Sequence, residues 1–296
     1  MTLAQTSLLL VNASLLALGI AMLAFAFVFA NQRSKVLVGP GIEQVAPTSR
    51  SRAVSIGFSL SWLALGLLGA ALVTRGLAVM RAPWGNMYEF ALSGAFAGLA
   101  AFLALSLRRN LDWLAVWVVV PVFALVGLAL TVLYTEAGPL VPALNSAWLI
   151  VHVSAAIVAF GAFTVAAGAS IACLVIEPMR KHGSKASWLS TAPTESELDR
   201  FTYRLTAFGF PIWTFAVIAG AIWAENAWGR YWGWDPKETW ALISWVAYAA
   251  YLHARVTAGW RPNRTMVIGL VGYATLLFNF FGVNILIPGL HSYAGI

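Results

Sequence analysis

Long apolar runs set the strongest limit on what this chain can fold into. Eight stretches near twenty residues in length consist mainly of apolar side chains. A stretch of this length spans the hydrocarbon core of a bilayer as an α-helix. With 60% hydrophobic and 10% charged residues, the chain is not a soluble domain. We therefore predict an all-α polytopic membrane protein with about eight transmembrane helices, at residues 8–30, 54–78, 88–107, 112–134, 147–175, 205–224, 238–258 and 266–288.

Lysine and arginine are distributed unevenly between the two sets of loops. If the spans alternate in direction from an extracytoplasmic N-terminus, all but four of the 18 basic residues lie in cytoplasmic loops. Such an excess sets the orientation of helical membrane proteins. Both termini are therefore predicted to be extracytoplasmic, and the net charge of +7 does not require nucleic acid as a partner. The basic residues on the extracytoplasmic side are Arg75, Arg81, Arg230 and Lys237.

The loops, the first apolar run and the cysteine content limit which further domains, signals and cysteine chemistry the chain can have. The cytoplasmic loops 31–53 and 176–204 are predicted to be solvated connectors. The first apolar run has no basic residue before it and no clear cleavage site, so no cleavable signal peptide is expected. Cys173 is the only cysteine. Because an internal disulfide, a C-x-x-C redox pair and a C-x-x-C-H attachment site each need two cysteines, this chain can form none of them.

A tryptophan-rich stretch, residues 223–240, joins the sixth and seventh predicted spans. Tryptophan combines a large apolar ring with one N–H donor, so it suits a site that is apolar at one end and wet at the other. Taken alone, this density of indoles fits either an interfacial aromatic belt or a platform for a flat ligand. The tryptophans are Trp223, Trp228, Trp232, Trp234 and Trp240.

The same stretch contains the start signal of a helix. Asp235 can act as the N-cap, Pro236 fits the first position, and Glu238 follows three residues after the cap, as in a capping box. A helix is therefore predicted to begin at Pro236, with its positive end directed back towards the tryptophans. Trp228 and Trp232 share one face if the segment between them is helical.

A second extracytoplasmic feature is the turn at residues 81–89, RAPWGNMYE. Its proline and glycine indicate a turn between the second and third spans. The segment is expected either to fold over the tryptophans or to be a simple polar turn, and we favour the first alternative.

Three of the four histidines are candidates for function. His182 lies in a basic loop, where a solvated role is expected. His253 is about fifteen residues into the seventh span, roughly 22 Å deep, where an ionisable group is costly unless it has an interior partner or a function. His152 and His291 lie on the tryptophan side. Each alone would be an ordinary interfacial histidine, but as a pair they could ligate one haem iron from opposite sides.

These residues together resemble one family of membrane proteins. The order W-G-x-x-W-x-W-D-x-x-E from Trp228 to Glu238 is similar to the tryptophan-rich signature of the CcsA (ResC) family of cytochrome c biogenesis proteins. The placement of His152, His253 and His291 also matches that family, as does the segment at residues 83–89. The resemblance covers most of the chain from the second span onward, and it divides the chain into two N-terminal helices (1–80) and a haem-handling core (81–296).

The resemblance implies a function in cytochrome c maturation. Haem b would enter from the cytoplasmic side of a bacterial plasma membrane or a thylakoid membrane. It would then move to the extracytoplasmic tryptophan site, where its vinyl groups meet the C-x-x-C-H thiols of an apocytochrome c. The family would make the protein a haem lyase, or holocytochrome c synthase, that acts in a complex with a CcsB or ResB partner. Thiol-reducing proteins are further possible partners.

The resemblance also implies residue roles. His152 and His291 would be the axial ligands of the iron at the extracytoplasmic site, and His253 would be one transmembrane ligand whose counterpart comes from the partner. We further hypothesise that Arg230, Lys237 and the N–H groups at the start of the seventh span bind the haem propionates. Residues expected to hold the ring or complete the site are Trp223, Trp228, Trp232, Trp234, Asp235 and Glu238.

Three alternative functions stay open from the sequence. A protein that passes haem to a separate haem chaperone is the first, although such proteins have about six spans. A membrane b-type electron-transfer cytochrome is the second, but it would need more than one deep histidine. A transporter for an amphipathic solute, with the tryptophans as its gate, is the third.

Overall fold

The computed structural model describes residues 1–31, 51–139, 142–184, 189, 192–257 and 260–291. Within these ranges the chain is helical, with no strand. Short 3-10 turns at Asp112–Leu114 and Pro142–Leu144 precede α4 and α5. The helices are α1 (Leu3–Asn31), α2 (Arg52–Val79), α3 (Met87–Ser106), α4 (Ala115–Thr131), α5 (Ala147–Lys181), α6 (Glu195–Trp228), α7 (Pro236–Val256), α8 (Pro262–Leu277), a π-helical turn (Phe278–Gly282) and α9 (Val283–Leu286).

All eight predicted spans correspond to long helices, and the predicted fold class is confirmed. Seven of the described helices are long and apolar enough to cross a membrane. The eighth, α7, has a lower mean hydropathy because it carries Lys237 and Glu238 in its first turn and His253 and Arg255 in its last. It nevertheless packs along α8, and Asp235 at its start accepts from the N–H of Leu290, which follows α9. The orientation of the termini remains a prediction.

The predicted connector at residues 176–204 is wrong over much of its length. Helix α5 continues to Lys181 and α6 begins at Glu195, so both helices extend well beyond the predicted spans. Arg180 holds the two ends together by donating to Glu177 and to the carbonyls of Ala192 and Pro193. A capping box between Thr194 and Glu197 starts α6. Most of the other predicted connector, residues 31–53, lies outside the described residues.

Close helix packing brings α5 into the centre of the bundle. A Cβ at Gly161 would lie 2.8 Å from the carbonyl oxygen of Ala97 on α3, and one at Gly168 would lie 3.1 Å from that of Trp117 on α4. Small residues of this kind let membrane helices approach closely. Helix α6 packs along α5, and α8 lies against both α5 and α7. The start of α5 is thereby fixed beside the end of α6.

The apolar core runs across the predicted division at residue 80. Buried side chains from α1 and α2, such as Leu18 and Leu68, belong to the same cluster as Leu99 of α3 and Val118 of α4. The division of the chain into residues 1–80 and 81–296 therefore stays a prediction.

Candidate functional site

A cleft opens at the end of the bundle where α3, α5 and α7 begin and α6 ends. His152 and His291 both line it, together with Trp223 and Trp232. In this conformation the cleft has a volume of about 120 Å³, and its remaining wall is mainly apolar. Two residues 139 positions apart in the sequence are thus brought to one cavity by the packing of α5 against the C-terminal segment.

His152 is oriented by the backbone of the neighbouring helix. Its Nδ1 lies 2.7 Å from the carbonyl oxygen of Ala216, one turn from the cleft on α6. A carbonyl can only accept, so Nδ1 carries the proton and Nε2 keeps a free lone pair. The contact requires Gly220, because a Cβ there would lie 2.7 Å from Nδ1 of His152. The glycine therefore gives the imidazole room to lie against α6.

His291 is oriented by a carboxylate. Its Nδ1 lies 2.8 Å from Oδ2 of Asp235, and the N–H of Leu290 donates to Oδ1 of the same residue at 2.7 Å. Asp235 also accepts from the N–H of Lys237 at 3.2 Å as the N-cap of α7. The predicted start of α7 at Pro236 and its capping box are therefore confirmed. The contact of Asp235 with His291 was not predicted.

The pKa shifts of His291 and Asp235 favour a neutral imidazole beside an ionised carboxylate. Burial lowers the pKa of His291 below its usual value, and the hydrogen bond to Asp235 opposes this only in part. Burial would raise the pKa of Asp235, but the hydrogen bonds from His291 and Leu290 outweigh it and lower the pKa to about 2. A neutral histidine whose other nitrogen donates to a carboxylate is the common arrangement of a metal ligand.

The tryptophans differ in their positions around the cleft. Trp223 is buried and contacts both histidines, with ring centroids 6.2 Å from His152 and 5.5 Å from His291. Trp228 packs behind His291 at 4.8 Å. Trp232 lines the cleft and contacts Trp234, which is 67% exposed and has a positive φ of 58°.

The condition for one expectation about this stretch is not met. Helix α6 ends at Trp228 and α7 begins at Pro236, so the segment between them is not helical. Helical spacing therefore does not place Trp228 and Trp232 on one face. Of the two, only Trp232 lines the cleft.

The charged residues of this stretch also differ in whether they line the cleft. Lys237 and Glu238 line the cleft, and Nζ of Lys237 lies 5.8 Å from the ring centroid of Phe280. Glu238 accepts from the N–H groups of Gly233 and Asp235. The guanidinium of Arg230 lies against Gly233, 3.8 Å from Glu238, and is not part of the cleft wall. The structure therefore brings Lys237, and not Arg230, to the cleft.

The remaining histidines lie at the other end of the bundle. His253 is in the last turn of α7, where its side chain is exposed. His182 is also exposed, and its Nδ1 bonds to the carbonyl of Pro178. Neither lines the cleft.

The polar residues that α8 and its extension contribute were not predicted from the sequence. The π-helical turn and α9 place Asn279, Phe280 and Asn284 in the cleft wall. Oδ1 of Asn279 and Oδ1 of Asn284 are buried, and neither accepts a hydrogen bond from a described residue. Two asparagines in an apolar span are themselves a signal, because polar groups in membrane spans are rare and usually functional.

The turn at residues 81–89 lies against the same cleft. Trp84 packs on the cluster that includes Trp223, and Met87 lines the cleft and accepts from the amide of Asn284. The turn is held by the carboxylate of Glu89, which is fully buried and paired with Arg75 at 2.9 Å and Arg81 at 2.7 Å.

Comparisons with known proteins identify the family of this chain. Residues 84–291 match the family described as Cytochrome C assembly protein. The chain is 33% identical over 290 residues to cytochrome c biogenesis protein CcsA of Gloeobacter violaceus, covering 80% of this chain and 86% of that protein. It is 36% identical over 257 residues to CcsA of Guillardia theta, with coverage of 80% and 85%.

A solved structure shows the same fold. The cytochrome c heme lyase CcmF superposes with a TM-score of 0.68 over 95% of this chain, at 19% sequence identity. This chain spans about half of CcmF, 47% of its length. At that identity the likeness concerns the fold alone.

Proposed function

This chain belongs to the CcsA family of cytochrome c assembly proteins, and from that premise we propose that it holds haem b between His152 and His291 for attachment to apocytochrome c. The observation that supports this most directly is the state of the two imidazoles. Both line one cleft, and each has its Nδ1 engaged, by a backbone carbonyl or by a carboxylate. In each imidazole Nε2 would be the nitrogen that binds iron, which commonly takes histidine ligands.

The wall of the cleft suits a flat apolar ring with a polar edge. Trp223, Trp232 and Phe280 offer aromatic faces to a porphyrin. Lys237 offers a charge to a propionate, with the amide of Asn279 as a further donor. Arg230 supports this group through Glu238 instead of binding haem directly.

The cleft must widen to admit haem. Its present volume of about 120 Å³ is below that of ordinary ligand pockets. Tyr231, Trp232 and the exposed Trp234 belong to the non-helical segment, which can move without breaking helical hydrogen bonds.

Attachment itself would need no redox change at the thiol. Each cysteine S–H of the C-x-x-C-H motif adds across a haem vinyl C=C, so one C–S bond forms and the proton ends on the neighbouring vinyl carbon. The protein would contribute by holding the vinyl edges close to the incoming thiols and by keeping the reactive ring oriented.

His253 would act at a separate stage. It lies exposed on α7, at the end of the bundle opposite the cleft. An exposed imidazole on a membrane helix can meet a ligand shared with a neighbouring protein, as expected for a CcsB or ResB partner. In this proposal the cleft faces the extracytoplasmic side of a bacterial plasma membrane or a thylakoid membrane, and haem enters near His253.

The test is to purify His152→Gly and His291→Gly variants with the partner. We expect each to lose the bis-histidine absorption spectrum and to form thioether product at least about tenfold more slowly. Added imidazole should partly restore both, because it can fill the space of the missing ring. His182→Gly is the matched control, since that histidine lies outside the cleft. Full haem content in the His152→Gly/His291→Gly double variant would exclude this function for the cleft.

A further inference from the structure

A second cavity lies at the end of the bundle opposite the cleft. It has a volume of about 420 Å³ and is formed by the turn between α3 and α4 and the first turns of α6. Its rim carries Arg109, Arg200 and Arg204, and its floor includes Trp113 and Phe201. The two rings contact each other edge to face at 6.1 Å. An aromatic floor beneath three guanidinium groups is a site for an amphipathic anion.

The charges of this cavity are not neutralised within the described residues. Glu197 is the one carboxylate of the wall, and its Oε2 already accepts from the N–H and hydroxyl of Thr194, each at 2.8 Å. Arg200 donates through Nε to the carbonyl of Ser196 and has both Nη groups available. Arg109 and Arg204 have no hydrogen bond or ion pair to any described residue. The cavity therefore offers several donors to one anion.

The surface of α6 indicates what kind of anion fits. Arg200, Arg204 and Phe208 follow at intervals of four residues, and Phe215 continues the same face about two turns later. Phe208 is 55% exposed and Phe215 is 50% exposed. Large apolar side chains exposed on a membrane helix face lipid, so this face passes from acyl chains to arginines within one turn. The cavity thus lies at the level of the lipid phosphates.

We propose that this cavity binds the phosphate group of an anionic diacyl phospholipid, with one acyl chain along Phe208 and Phe215. The planar guanidinium matches phosphate in a bidentate geometry, and basic pockets between membrane helices bind lipid head groups. Trp113 would lie at the glycerol level, where tryptophan is enriched. The site does not depend on haem or on the function of the cleft.

The experiment uses native mass spectrometry of the full chain after equilibration with equal amounts of phosphatidylglycerol and phosphatidylcholine. The wild type should retain phosphatidylglycerol preferentially. The triple variant Arg109→Gln, Arg200→Gln and Arg204→Gln should lose that preference by at least about tenfold. Its thermal midpoint in phosphatidylcholine alone should equal that of the wild type, which separates lipid binding from folding.

The matched control removes the same charge from the same end of the bundle. Arg52→Gln, Arg261→Gln and Arg264→Gln lie at the starts of α2 and α8, outside the cavity. This variant should keep the preference for phosphatidylglycerol. Equal loss in both variants would show a general effect of charge and overturn the proposal. Displacement of the lipid by millimolar inorganic phosphate would assign the cavity to free phosphate instead.

Discussion

Two loops at the same end of the bundle are each built around a buried carboxylate, but they use it differently. In the turn at residues 81–89, both oxygens of Glu89 are bonded to arginine, and the N–H of Gly85 donates to one of them. In the tryptophan segment, Asp235 accepts from two backbone N–H groups and from His291. The first carboxylate is bonded to groups that fix the turn, whereas the second is bonded to a histidine that lines the cleft.

Glu89 therefore stabilises a turn, whereas Asp235 orients a candidate ligand. Glu89 lies between two cations, so its bonds are complete and fix the loop that supports Trp84 and Met87. Asp235 is bonded to Nδ1 of a neutral imidazole that lines the cleft. The buried polar atoms without a partner among the described residues include Oδ1 of Asn279 and Oε1 of Glu238 in the cleft wall. Polar groups without partners in a buried wall are costly and indicate where a ligand supplies the missing contacts.

Replacing Glu89 should have the largest effect on stability. In Glu89→Gln the buried guanidinium of Arg75 loses its counter-charge, so we expect a loss of about 3–5 kcal/mol in the free energy of unfolding. Thermal unfolding in detergent measures this. Glu136→Gln, an exposed glutamate near the same end, is the control. If both variants melt together, the ion cluster does not hold the turn.

Replacing Asp235 should have a smaller effect on stability and a specific effect on haem. Asparagine remains a good N-cap, so Asp235→Asn should fold, with a loss of about 2 kcal/mol that corresponds to the lowered pKa. His291 would lose its charged acceptor, and we expect haem affinity to fall about tenfold or more. Asp235→Ala, which also removes the cap, should melt lower still. An unchanged haem spectrum in Asp235→Asn would show that the carboxylate does not orient the ligand.

The same carboxylate predicts how stability depends on acid. Its pKa is about 2 in the folded protein against an ordinary value of 3.8. The folded state therefore gains stability from the ionised form above about pH 4, and loses it as the pH falls towards about 2. The thermal midpoint measured across this window should fall more steeply for the wild type than for Asp235→Asn. Parallel curves would contradict the assignment.

Adding one methyl group should have the smallest effect on stability. It also tests most directly whether the two regions differ in their effect on haem. Gly220→Ala would press on His152, and Gly85→Ala would press on the guanidinium of Arg81, each at 2.7–2.8 Å. We expect a loss of about 1 kcal/mol in each, but a changed haem spectrum only in Gly220→Ala. Gly66→Ala, with no atom within 4 Å of the new Cβ, is the control. A changed spectrum in Gly85→Ala would mean that the turn also positions the ligands.

The bounds of three helices show which features can be predicted from the sequence. The start of α7 was predicted at Pro236 because Asp235, Pro236 and Glu238 form a local signal that acts over one turn. The lengths of α5 and α6 were underestimated, because charged residues at their ends suggested a solvated loop. In the structure Glu177 and Asp199 are buried, and Arg180 and Arg255 pair with them. The pair of Arg255 with Asp199 joins two helices and leaves no local pattern, whereas that of Arg180 with Glu177 lies within α5.

The sequence by itself determined the class of fold and the family. A bilayer forces each apolar run into a helix, and the tryptophan motif with its placed histidines is a pattern readable along the chain. Only the tertiary structure decided which groups meet. The contact of His152 with Ala216 joins residues 64 apart, and that of His291 with Asp235 joins residues 56 apart. Helix packing sets such distances, and it alone turned two imidazoles towards one cleft and left Arg230 outside it.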